Sequence, residues 1–192
     1  AVSDALLPTR RLARTRSSQR PWRPIGTARS RAARISSTDA YCDEIKGMLA
    51  DMGMQITELS THLQGQLVAV NPVYDEAFDA FAPAHLHGKP AARKDWAIDQ
   101  MMKAAIASER LGLSHTVSFT GSLAFPFHYP WPQRPAGLVE EGFQELGRRW
   151  LPILNHFDEC GVDVCYEVHP GEDIFDGITY EMFLDAVNQH AR

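Results

Sequence analysis

Apolar and polar positions fall into a regular pattern from Tyr41 onward. Over 41–52, Ile45, Met48, Leu49 and Met52 recur at helical spacing, which predicts one apolar helix face with Thr38 or Asp39 as its cap and Gly53 just past its end. Residues 55–62 read as a strand. Residues 63–90 are Pro-rich and loop-like. A second helix is expected from about Ala91 to Leu111, with Trp96, Ile98, Met101, Met102, Ala105 and Ile106 inward, followed by Gly112 and a strand over His115–Thr120. After a Pro- and aromatic-rich stretch, Gly121–Pro135, a third helix is expected over about Leu138–Cys160, with Phe143, Leu146, Trp150, Ile153, Leu154 and Phe157 inward. Pro152 is expected to kink it or to start a new turn. Val162–Val168 is the third strand, and a last helix starts near Thr179, its expected cap.

Helices alternating with strands imply a parallel sheet, and right-handed crossovers place all the strand carboxyl ends on one side. A doubly wound sheet and a TIM barrel both fit this order. Connections after helices are short, whereas those after strands are long and carry the chemically unusual residues. That asymmetry favours the barrel, whose chemistry sits on the βα side. No G-x-G-x-x-G or P-loop follows any strand, which weakens a nucleotide-binding reading.

Charge divides the chain. Residues 1–40 hold nine Arg, no Lys and two acids, a formal +7, whereas 41–192 hold ten Lys/Arg and 22 Asp/Glu, a formal −12. Residues 1–40 show neither helical nor strand period and are expected to be disordered or irregular. Three readings fit them: a transit peptide, a basic arm for nucleic acid or acidic surfaces, or chain never selected to fold, such as an out-of-frame stretch. The third is favoured, because Pro8, Pro21 and Pro24 interrupt any long amphipathic helix and Trp22 is the segment's one aromatic. The domain reading is therefore 1–40 as a non-barrel segment and 41–192 as a partial barrel. The acidic 41–192 region argues against nucleic acid as a partner. No apolar run is long enough to span a membrane. Three cysteines without a C-x-x-C spacing suggest reduced thiols and a cytoplasmic setting, with Cys165 read as a small buried hydrophobe.

The candidate chemistry gathers at Cys165-Tyr-Glu-Val-His-Pro-Gly-Glu-Asp173. Glu167 ends a strand, and a carboxylate facing a barrel interior needs a metal, a cation or hydrogen-bond donors. A barrel-mouth salt bridge satisfies the same need. His169, Glu172 and Asp173 follow at once, and such a cluster suits a hard divalent ion on oxygens with one imidazole. Taken singly, His169 reads equally as a packed or capping histidine. His62 and Gln64 end the first strand in a similar way, able to hydrogen-bond sugar hydroxyls or to serve as loop supports. His85 and His87 form an H-x-H pair best read as loop solvation. Phe125–Pro135, with Trp131 at its centre, suits either a sugar-stacking wall or lid or a subunit interface, so a homo-oligomer stays open. Trp96 and Trp150, at helical spacing, read as core.

Glu58-Leu-Ser-Thr-His-Leu-Gln-Gly-Gln-Leu67, Pro130-Trp-Pro-Gln-Arg-Pro135 and Val164–Asp173 together resemble the sugar phosphate isomerase/epimerase family, the xylose isomerase-like TIM barrels. The resemblance runs from about Tyr41 to Arg192. It implies a divalent metal (Mn, Mg, Co or Zn) and a sugar substrate. It implies that Glu167 is a metal ligand and one of two carboxylates moving a proton through an enediolate, with His62, His169, Glu172 and Trp131 contacting substrate. The family's other three ligands, an Asp, a His and a Glu, have no counterpart here. The expectation is a partial (β/α)8 barrel of three strands, the third to fifth, inactive in isolation and with strand edges at Leu59 and Val164 prone to aggregation. The alternatives are a non-catalytic binding fragment and an AP endonuclease-like phosphodiesterase, the latter disfavoured by the acidic balance.

Overall fold

A computed structural model of the chain describes residues 39–129 and 133–192. The reading of residues 1–40 falls almost wholly outside these, and so does Trp131. Among the described residues the longer elements, in chain order, are α1 (Asp39–Ala50), β1 (Leu59–Ser60), the short helices α2 (His62–Gly65) and α3 (Asp75–Phe78), α4 (Pro90–Leu111), β2 (His115–Ser118), α5 (Leu138–Glu159), β3 (Asp163–Tyr166) and α6 (Gly177–Ala186). Single turns of 3-10 helix fill the connections at 72–74, 79–81, 84–86 and 125–127.

The three strands form one parallel sheet in the order β1-β2-β3. Its register aligns Leu59 with Thr116 and Val164, and Ser60 with Val117 and Cys165. Because side chains alternate across a strand, the register defines two faces. One carries Leu59, Thr116, Ser118, Val164 and Tyr166, and the helices cover it. Ser108 of α4 hydrogen-bonds Thr116 at 2.8 Å, and Trp150 of α5 packs edge-on against Tyr166 at 5.1 Å. The other face carries Ser60, His115, Val117, Asp163 and Cys165, and no described element covers it. Helices on one face of a parallel sheet form the wall of a TIM barrel, with the open face as its interior.

The core lies between the sheet and α4–α6. Met101, Leu146, Trp150, Ile153, Leu154, Phe157, Val162, Ile174 and Phe183 are fully buried there. The Trp150 indole N–H donates to the Thr120 carbonyl at 2.8 Å, which satisfies its one polar atom. Trp96 is partly buried against the same core.

Several expectations need correction. The first strand shrinks from 55–62 to two residues, because β2 is the one strand it pairs with among the described residues and the ladder reaches only Leu59 and Ser60. α1 begins at Asp39, inside the segment read as non-barrel, and Asp39 pairs with Arg110 of α4 at 2.9 Å. Its inward face is Cys42 with Ile45, packed on Ala107 and Leu111, while Met48 and Met52 are exposed. Pro152 sits inside α5 without ending it. The cap of α6 is Asp176, and Thr179 closes its capping box from the third helical position. Cys165, expected to be buried, is exposed on the open face.

The 63–90 connection is the least regular in sequence and among the most firmly tied. Arg93 on the first turn of α4 is 1% exposed and reaches back to the carboxylates of Asp75 and Asp79 and to the Asp75 carbonyl. Asp79 also accepts the Gly88 N–H at 2.7 Å. That amide, followed by the Arg93 guanidinium, holds its carboxyl below the ordinary value. A buried Arg of this kind is tolerable only because its charge is matched.

Candidate active site at the carboxyl end of the sheet

The site is built where the three strands end. β1 delivers Ser60, and the chain turns at Thr61, whose N–H and hydroxyl both donate to the Val117 carbonyl. That anchor starts α2 and places the His62 ring over the end of β2. There, Phe119 meets it edge-on, with centroids 4.4 Å apart. His169 also packs on Phe119, 4.8 Å away between ring centroids. Glu167 follows β3, its N–H donated to the Ser118 carbonyl at 3.0 Å.

These anchors bring His62 and Glu167 together. His62 Nε2 stands 2.9 Å from Glu167 Oε2, with the two side chains 22% and 48% exposed. Nε2 has no aligned hydrogen-bond partner among the described residues, so the contact is a close approach of ring nitrogen and carboxylate oxygen rather than a straight hydrogen bond. The opposite nitrogen, Nδ1, lies 2.6 Å from Ser60 Oγ. An exposed carboxylate, an imidazole and a hydroxyl thus line up on the open side, beside two aromatic rings.

Glu172 and Asp173 take the opposite course. Past the Pro170-Gly171 turn the chain doubles back, and both carboxyls point inward. Glu172 Oε2 accepts the Gly121 N–H at 2.6 Å. Asp173 accepts three amide N–H groups in succession, from Leu123 at 2.7 Å, Ala124 at 2.9 Å and Phe125 at 2.7 Å. Its own N–H donates to the Gly121 carbonyl at 2.9 Å. Gly121 is the pivot of this knot. Its φ of +91° is in the left-handed region, and a Cβ there would strike the Ala69 backbone. Burial pushes the Glu172 carboxyl up to about 7 against the pull of the Gly121 N–H, with the negative charges of Asp173 and Glu167 adding to the rise. Burial likewise pushes Asp173 up to about 6, against its three amide donors.

The sequence placed Glu167, His169, Glu172 and Asp173 in one cation-binding cluster, and the geometry divides them. Glu167 and His62 converge, His169 stands exposed beside Phe119, and Glu172 is buried with the Gly121 N–H as its partner. Among the described residues no three His, Cys, Asp or Glu side chains come together as a cation would need. The described residues therefore do not by themselves fit a divalent ion, although Glu167 and His62 offer two donor atoms. Three contributors were not singled out from sequence: Ser60, Phe119 and Asp173 as a loop clasp. The alternation of Ser60 and His62 about Thr61, and of Val117 and Phe119, is the signal that would have placed the first two on the open face. Arg134, also not singled out, ties the connection after β2 through the Phe127 and His128 carbonyls at 2.9 and 3.0 Å.

A parallel sheet with helices on one face, an open second face and its reactive side chains at the strand carboxyl ends defines a TIM-barrel protein with its site on the βα side. More narrowly, the chain belongs to the xylose isomerase-like TIM barrel family, whose model matches residues 23–192 and so takes in part of the Arg-rich segment as well. That family includes sugar isomerases and epimerases and AP endonucleases, and divalent metals are common in it. Among curated proteins no relative matches the chain. No helix among the described residues is long and apolar enough to cross a membrane.

Proposed function

We propose that this chain serves isomerisation or epimerisation of keto sugars or sugar phosphates by proton transfer through an enediolate, with Glu167 as the acid–base carboxylate. The observation that supports this reading best is the Glu167 carboxylate, half-exposed at the end of β3 and 2.9 Å from His62 on the open side of the sheet. A carboxylate in that position can take a proton from the carbon beside a carbonyl. His62 and His169 flank it with hydrogen-bonding nitrogens for sugar hydroxyls, and the Phe119 ring between them offers an apolar surface to the sugar's C–H groups. The buried Glu172 serves by fixing the turn that presents His169.

Proton return needs a second group on the other side of the substrate, and among the described residues no third His, Cys, Asp or Glu side chain joins the Glu167–His62 pair. Turnover by this chain alone is therefore expected at background, with sugar binding as the retained property. Mapping histidine and phenylalanine NMR signals of the full chain during titration with ketopentoses, ketohexoses and their phosphates tests this. The expected result is shifts confined to His62, Phe119 and His169. Shifts elsewhere, or none, would overturn the reading, and so would turnover with added Mn that survives Glu167→Gln.

A non-catalytic binding role is the second reading, favoured by the lack of three converging ligand side chains among the described residues. It shares the binding result and parts from the first if Glu167→Gln leaves the affinity for keto sugars unchanged. Abasic-site DNA is expected to leave the three signals in place, given the acidic balance of residues 41–192.

A further inference from the structure

The Arg93 guanidinium is matched in charge but not in hydrogen bonds. One terminal nitrogen donates to the Asp75 carbonyl and to Asp79, the other to the Asp75 carboxylate. Its Nε is buried and meets no acceptor among the described residues. A guanidinium carries five N–H donors, and a buried one left over needs an acceptor.

Arg93 lines a cavity of about 160 Å³, formed by the connection after β1, the first turn of α4 and Arg149 of α5. Donors outnumber acceptors on its wall. Lys94 lines it too, and its Nζ lies 3.8 Å from Asp95, beyond hydrogen-bond reach. Arg149 gives Nε to Glu145 and one terminal nitrogen to the Val68 carbonyl, which leaves its other terminal nitrogen over. Ala91 stands in the first turn of α4, where Lys89 supplies no side-chain cap, so its N–H has no partner within the helix. Asp75 is the one carboxylate among the residues lining the cavity. Asp79 and Glu145 balance the two guanidinium charges from outside it.

We propose that this cavity binds a small oxyanion of the phosphate type, either free phosphate or the phosphoryl group of a larger ligand. Two guanidinium groups, an ammonium and the amino end of a 22-residue helix bring donors from several directions, and a tetrahedral oxyanion returns acceptors in as many. Water fits less well, because its own two hydrogens face a wall already rich in donors. The volume is below the roughly 300 Å³ at which ordinary small-molecule pockets begin, which suits an ion or a single group better than a whole sugar. The bound anion ties the 63–90 connection to α4 and α5. The proposal stands apart from the reading of Glu167 and does not depend on it.

Proton–nitrogen NMR of the full 15N-labelled chain tests it, with inorganic phosphate titrated at constant ionic strength and chloride as the reference. The expected result is a saturable shift of the Arg93 Nε–H and the Ala91 amide with phosphate and none with chloride. Lys94→Gln, at a partly exposed position, is expected to weaken phosphate binding about tenfold, the loss of one charge-assisted hydrogen bond. Lys103→Gln, on the same helix but paired with Asp99 and outside the cavity wall, is expected to bind as wild type does. A ketopentose phosphate, titrated in parallel, separates the two sources. Saturation by inorganic phosphate identifies the free ion, and a shift with the sugar phosphate alone identifies a phosphoryl group. An Arg93 signal that moves with neither overturns the proposal, and that result needs no variant. Shifts matched by chloride, or equal losses in Lys94→Gln and Lys103→Gln, overturn it as well, since they report diffuse attraction to positive charge.

Discussion

Two carboxylate arrangements lie within the seven residues from Glu167 to Asp173, and they differ in almost every physical respect. Glu167 is half-exposed, faces the open side of the sheet and meets an imidazole. Glu172 and Asp173 are buried and together accept four backbone N–H groups from the connection after β2. The first arrangement leaves a charge accessible to a ligand. The second uses charge to organise a neighbouring loop, since a carboxylate is the one side chain that can satisfy several converging amides at once. Proximity in sequence thus says little about shared function. Past the Pro170-Gly171 turn, one set is left exposed and the other is buried against the connection after β2.

The largest effect that would break this comparison is at Asp173. Asp173→Ala leaves three amide N–H groups without their acceptor in a dry site, so urea denaturation is expected to show a loss of about 3 kcal/mol or more. A loss under about 1 kcal/mol would mean that water replaces the carboxylate and that the knot is not structural.

Titration sharpens the same contrast. Glu172 at about 7 and Asp173 at about 6 both lie above their ordinary values of 4.5 and 3.8. A carboxyl raised on folding binds its proton more tightly in the native state. Its stabilising contribution is complete below the ordinary value and is lost as pH climbs through the raised one. Stability measured by urea midpoint is therefore expected to fall between about pH 4 and about pH 7. Asp79 and Asp158, lowered by their partners, act in the opposite sense and at lower pH. Glu172→Gln keeps an acceptor for Gly121 and removes the titration, so the fall should shrink. An unchanged profile in that variant would contradict the assignment.

The smallest stability effect is expected at the open pair. Glu167→Gln should change unfolding free energy by no more than about 0.5 kcal/mol, because exposed ion pairs contribute little. A larger loss would make Glu167 a structural group like its neighbours.

The sequence made one side of this comparison legible and concealed the other. The helical spacing of Trp150, Ile153, Leu154 and Phe157, and the period-two alternation of Val162, Val164 and Tyr166, reproduce the observed core and the helix-covered face. Those patterns are local consequences of burying one side of an element. The strand-end positions of Glu167 and His62 were also readable, because the alternation of the strands leads into them. The inward turn of Glu172 and Asp173 depends on amides some 50 residues away, and no local period encodes a carboxylate's choice between a ligand and a backbone. Arg93 was missed for a related reason. It shares the spacing of Ala97 and Met101 on the buried face of α4, and its partners Asp75 and Asp79 lie four residues apart, but only the fold joins the two facts. Met48 and Met52 fit a helical period yet stay exposed, because α1 touches its neighbour through the narrower Cys42–Ile45 strip.

The central claim is that the open pair, not the buried one, meets the substrate. Calorimetric titration of keto sugars and keto sugar phosphates into wild type and Glu167→Gln tests it most directly, with stability measured on the same samples. Binding is expected to weaken by roughly tenfold, about 1.4 kcal/mol, at unchanged stability. Equal affinity in the two proteins would contradict the account.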